Sequence, residues 1–157
     1  MATVTGTLTV NAAFLQEIKD DNVQLRKLLG DLRNISSAAP VLCNHATQFV
    51  ALLGELRDQL AFHFALEEAY GYFEDAIDIA PRLVDRANQL RAQHSTLFET
   101  ICELSDAAAC LAASPSFQSI ISLGATFSEF DEQLRQHETE ENQLILEAFG
   151  QDIGVGD

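Results

Sequence analysis

Apolar residues recur at alternating steps of three and four along almost all of this 157-residue chain. That spacing keeps one face of a helix turned towards a core. The first run reads Leu15, Ile18, Asn22, Leu25, Leu29, Leu32, and the second Phe49, Leu53, Leu56, Leu60, His63, Glu67, Tyr70. The third reads Leu83, Ala87, Leu90, His94, Leu97, Ile101, Leu104, Ala108, Leu111. The fourth reads Ile120, Leu123, Phe127, Phe130, Leu134, His137, Glu141, Leu144, Ala148. A chain with this pattern has one economical solution, which is to pack its helices against each other.

Local chemistry punctuates the runs. Asn11 is a good N-cap, with Val10 and Leu15 placed to clasp the first turn. Pro40, Pro81 and Pro115 suit first helical turns, since proline lacks only an N–H that is orphaned there anyway. Helices are expected over roughly residues 11–36, 40–76, 81–113 and 115–149, with a Gly-rich acidic tail after them. Long helices joined by short connections become antiparallel neighbours. The expected fold is all-α, a single up-down-up-down four-helix bundle over residues 1–157. Strand-like alternation occurs only in Met1–Val10, too isolated to build a sheet.

Five seam positions do not hold hydrocarbon: His63, Glu67, His94, His137 and Glu141. Buried without partners, each would cost several kcal/mol, on the order of 2–7 for a neutral polar group. Measured from the helix ends that share the second connection, Asn22, Glu67, His94 and Glu141 lie at similar heights, at about 1.5 Å per residue. One cross-section of the bundle is therefore expected to hold them. The opposite end fits less well, so the Pro40–Ala46 segment is bent off axis or the second helix protrudes. His45 lies some 27 Å from His63 along a helix and cannot share its site.

The net charge of −15 repels phosphate backbones and anionic lipid, which argues against nucleic acid and membrane as partners. The longest uncharged run, between Asp106 and Glu129, contains Pro115, Gln118 and five serines. It reads as a helix boundary and not as a membrane span. The N-terminus shows no signal-peptide pattern. Cys43, Cys102 and Cys110 are an odd set without paired spacing, and Cys102 and Cys110 are roughly 12 Å apart along one helix, too far to bridge. Three buried free thiols and a cytoplasmic location are expected.

Two helices each carry His-x-x-x-Glu, in the runs HFALE (His63, Glu67) and HETEE (His137, Glu141), and His94 comes from a third. At i and i+4 both side chains project from one face, a turn apart. Imidazole suits iron, zinc or copper, whereas shared carboxylates favour iron or manganese. One such pair is common on solvated faces. Two in register at core positions, beside a third seam histidine, are a much more specific signal.

The runs LQEIKDDNVQLRKLL, LAFHFALEEAYGYFE, APRLVDRANQLRAQHSTLF and LRQHETEENQLILEAF together resemble the hemerythrin-like, or HHE, domains. The resemblance covers all four helices. It implies a four-helix bundle with a non-haem centre of two iron ions, in a family that binds dioxygen or senses oxygen, iron or nitric oxide. It implies Glu67 and Glu141 as bridging carboxylates, His63 on one iron, and His94 with His137 on the other. The family's first-helix histidine is replaced here by Asn22, a poorer donor that would act weakly or in support. That substitution leaves the His63 ion more weakly held or open.

The leading expectation is a binding or sensing protein for dioxygen, nitric oxide or iron. An enzyme that turns over peroxide or nitric oxide, and a metal-free structural bundle, are the alternatives. Duller roles stand beside the individual residues: a buried hydrogen-bonded network for the five donors, a register-setting amide for Asn22, and core filling for Tyr70. Glu68, Glu138 and Glu140 flank the motifs and read as solvated surface, unless one swings in as a ligand. Phe98, Phe127 and Phe130 are expected to keep the pocket wall dry.

Overall fold

A computed structural model describes residues 20–69 and 72–156, with side chains described over 20–69 and 76–150. All of the regular structure in these residues is helical. Helix α1 covers residues 20–36, followed by α2 (Ala39–Asn44), α3 (Ala46–Ala69) and α4 (Tyr72–Ile79). A 3₁₀ turn at Pro81–Leu83 leads into α5 (Val84–Ala113), and α6 spans Phe117–Gly156. The expected cap at Asn11, its apolar clasp and Tyr70 lie outside the described residues.

Several helix boundaries differ from the periodicity. The second helix, expected over 40–76, is interrupted at His45, whose backbone (φ −119°, ψ 27°) leaves helical geometry. There His45 N–H bonds to the carbonyls of both Val41 (3.0 Å) and Leu42 (3.2 Å). The ring Nδ1–H also donates to Val41 O at 2.9 Å, so the side chain competes for a carbonyl the helix would use. The segment ends in α4 at Ile79 and not at residue 76. The fourth helix opens at Phe117 instead of 115, because the Ser116 hydroxyl accepts the Ser119 backbone N–H at 3.1 Å and acts as the N-cap. It continues past 149 to Gly156.

The main core gathers Leu25, Leu29 and Leu32 of α1, Phe49, Leu53, Leu56 and Leu60 of α3, Leu97, Ile101 and Leu104 of α5, and Phe127, Phe130 and Leu134 of α6. Phe49 and Phe127 meet edge to face, with centroids 5.7 Å apart. A smaller cluster joins Ala76, Leu83, Ala87, Leu90, Leu144 and Ala148 at the other end. Between the two clusters lies the layer in which hydrocarbon gives way to imidazole and carboxylate. Arg33 clamps α1 to α6 through both oxygens of the nearly buried Asp131, at 2.9 and 2.7 Å. Cys43 and Cys102 are half-buried and Cys110 is exposed, all three as free thiols; the expectation that all would be buried fails because Cys110 lies off the α5 seam.

Candidate metal centre

All five seam donors are buried and meet in one layer. From α3, His63 places Nε2 3.1 Å from Glu67 Oε1. His94 of α5 brings its Nε2 to 3.6 Å from the same oxygen. His137 and Glu141, one turn apart on α6, hold Nε2 and Oε1 2.6 Å apart. The rings of His94 and His137 lie 5.0 Å apart, centroid to centroid. One donor atom each from His94, His137 and Glu141 falls within 4.8 Å of the others.

The opposite nitrogen of each imidazole is engaged in the same manner. His63 Nδ1 bonds to Asp21 Oδ2, His94 Nδ1 to Glu68 Oε1 at 3.2 Å, and His137 Nδ1 to Gln93 Oε1 at 2.7 Å. An oxygen acceptor at Nδ1 fixes the ring and keeps a proton there, which turns Nε2 inwards, as a lone pair wherever the ring is neutral. Phe64 completes the packing. It stacks on His94 at 4.2 Å and 15° and meets His137 edge-on at 6.1 Å.

Asn22 is only half-buried; the buried residue of that turn is Asp21. The cause is geometric. Ile18 and Leu25 are seven residues apart, and 3.6 residues per turn places the seam between positions 21 and 22. Asp21 faces α3, where Gln59 Nε2 also donates to its Oδ1 at 2.7 Å. Asn22 instead lines a cavity of about 160 Å³, together with Arg26, His63, Glu67, Glu138 and Glu141. Glu138, expected on the solvated surface, is half-buried in that wall. The wall expected of Phe98, Phe127 and Phe130 is supplied by another ring: Phe64 lies against the imidazoles, while Phe127 and Phe130 belong to the main core and Phe98 packs against it.

Protons compensate charge in this layer. Burial would lower the His63 pKa, but the bond to Asp21 and the close Glu67 carboxylate outweigh it and push it up to about 10. Burial lowers His94 and drives His137 down to about 4, with His94 adding to the effect. Burial, with Glu67 close by, raises Glu141 to about 11. Burial opposes ionisation of Glu67 as well, but His63 and the Glu141 proton hold its pKa below the usual value. A protonated His63 and a protonated Glu141 therefore sit beside an ionised Glu67.

This donor set fits bound metal ions. Glu67 Oε1, His137 Nε2 and Glu141 Oε1 are fully buried and, although imidazole and carboxylate approach closely there, none has an aligned hydrogen bond, a costly arrangement unless a cation accepts their lone pairs. Nδ1-anchored imidazoles and carboxylates are what a borderline divalent metal takes once His63 and Glu141 give up their protons.

Residues 13–149 match the family model of the hemerythrin HHE cation-binding domain. With its helical bundle and buried histidine–glutamate layer, the chain belongs to this cation-binding family. No curated protein and no solved structure matches it.

Proposed function

We propose that the chain is a non-haem iron protein that holds two iron ions bridged by Glu67 and Glu141, and that it binds or senses a small ligand: dioxygen, nitric oxide or iron itself. In this proposal His63 serves one ion, and His94 with His137 the other. The observation that carries it is the common orientation of the three imidazoles, Nδ1 on an oxygen and Nε2 towards Glu67 or Glu141. When bound, the pair of ions would supply a redox-active Lewis-acidic centre for a diatomic ligand. The chain's own residues prepare that place. Asp21, Glu68 and Gln93 orient the rings, Phe64 shuts out water on the His94–His137 side, and the cavity beside His63 gives a small molecule room.

An up-down-up-down bundle is part of the proposal, supported by the order of contacts. Between α3 and α5 they run from Arg57–Ser105 to Phe64–His94. Between α5 and α6 they run from Arg86–Glu147 to Gln93–His137. In each pair one number rises as the other falls. The free thiols suit a cytoplasmic setting.

Elemental analysis after anaerobic loading with ferrous iron tests the function, with about two ions per chain expected. Replacing Glu67 with alanine should remove both together, because a bridge serves two ions and a terminal imidazole one. A chain that takes up no transition metal, or a Glu67→Ala variant that keeps one ion tightly bound, sinks the proposal. The cavity beside His63 favours a second reading, turnover of peroxide or nitric oxide; steady-state peroxide consumption by the loaded chain separates it from simple binding.

A further inference from the structure

The two halves of the layer differ in donor chemistry. On one side His94, His137 and Glu141 form a compact group of two nitrogens and one oxygen, closed by Phe64 stacked on His94. On the other, His63 is the single imidazole at a cavity whose polar lining is mostly oxygen donors, including Glu67, Glu141, Glu138 and the amide of Asn22, with the Arg26 guanidinium and leucines completing the wall. Glu67 and Glu141 are each more than nine-tenths buried, and each has an oxygen without a hydrogen bond. Glu138 precedes Glu141 by three residues on α6, so the two share a helix face.

We infer that Glu138 is a further metal ligand, and that the His63 position is an oxygen-rich, exchangeable site that accepts manganese(II) in place of iron. The inference rests on the proposed pair of metal positions. The physical basis is ligand type. Carboxylate, carbonyl and water oxygens suit manganese, whereas imidazole nitrogens favour the later metals. Nitrogen donors hold iron(II) more strongly than manganese(II), so the half with two imidazoles retains its iron. The half with one imidazole discriminates least. Its cavity leaves room for water ligands, and water ligands are readily exchanged.

The test loads the full chain anaerobically with two equivalents of ferrous iron, then dialyses it against excess manganese(II). Metals are counted by elemental analysis, and bound manganese is followed by its paramagnetic resonance. One iron should be replaced and one retained, giving a one-to-one chain. Glu138→Gln should weaken manganese binding by roughly 10- to 100-fold, while Glu140→Gln leaves it unchanged. Asn22→His, by returning a nitrogen to the cavity, should make the chain keep both irons. Circular dichroism confirms that each variant is folded, and the asparagine variant reports even where Glu138→Gln does not fold. Retention of both irons by the parent, exchange of both, or a manganese affinity that Glu138→Gln leaves intact overturns the inference. Failure to bind any iron at the loading step overturns the two-metal proposal itself.

Discussion

At the scale of single residues, the site is a set of proton positions that metal would take over. With His63 pushed up to about 10 and Glu141 to about 11, both carry protons at neutral pH, and both must lose them to become ligands. Loading with metal at pH 7 should thus release about two protons per chain, measurable by back-titration in weak buffer. The same shifts set the stability of the metal-free chain. A raised pKa contributes stability that is complete below the unfolded value and lost as pH rises through the folded one. For His63 that window runs from 6.5 to about 10. The metal-free melting temperature should therefore fall from pH 6.5 to 10. In the same range the metal-loaded chain should gain, since protons compete less with metal. The lowered His137 acts oppositely, and its contribution disappears as pH falls from 6.5 towards 4. Two of the residues that orient rings were hidden for different reasons. Asp21 was obscured by the choice between positions 21 and 22, while Gln93 looked like any polar residue beside the seam.

At the scale of elements, two glycines on helices make opposite predictions. A Cβ built at Gly30 on α1 meets nothing within 4 Å. Gly30→Ala should raise stability by about 0.5–1 kcal/mol through helix propensity alone. At Gly124 on α6 the added carbon would lie 2.6 Å from Leu42 Cδ2, and Leu42 is itself buried in the core. Gly124→Ala should cost about 1–2 kcal/mol net, as overpacking outweighs propensity. Chemical denaturation of both variants checks the contrast, and combining Gly124→Ala with Leu42→Ala should show a non-additive rescue. Periodicity identified the helices because an amphipathic face repeats over many turns. It misjudged their ends because a single hydrogen bond, such as Ser116 to Ser119 or His45 to Val41, decides an end.

For the whole molecule, the polar layer joins binding to folding. It sits between two apolar clusters, and its donors come from α3, α5 and α6, with Asp21 reaching in from α1. A cation held there favours only the folded chain. With free metal at about a thousand times its dissociation constant, stability should rise by roughly 4 kcal/mol. Calorimetry with and without a chelator should show that gain and its loss. The replacement Glu141→Gln imitates the protonated acid, so it should leave metal-free stability within about 1 kcal/mol of the parent while abolishing most of the gain. A net charge of −15 also destabilises the metal-free bundle by self-repulsion, so added salt should help it more than the loaded chain.

The sequence by itself determined that the chain is helical, which face of each helix is buried, and that His63, Glu67, His94, His137 and Glu141 replace hydrocarbon on those faces. Those are properties of spacing, and spacing is written in one dimension. Tertiary structure alone decided which nitrogen of each ring turns inwards, that Asp21 and not Asn22 is buried against α3, that Glu138 borders the cavity, and that Phe64 stacks on His94. Each of these depends on the rotation of one helix against another by a fraction of a turn, and on the partner waiting across the gap. A 3.6-residue period resolves a seam to within one residue, whereas a hydrogen bond requires tenths of an ångström.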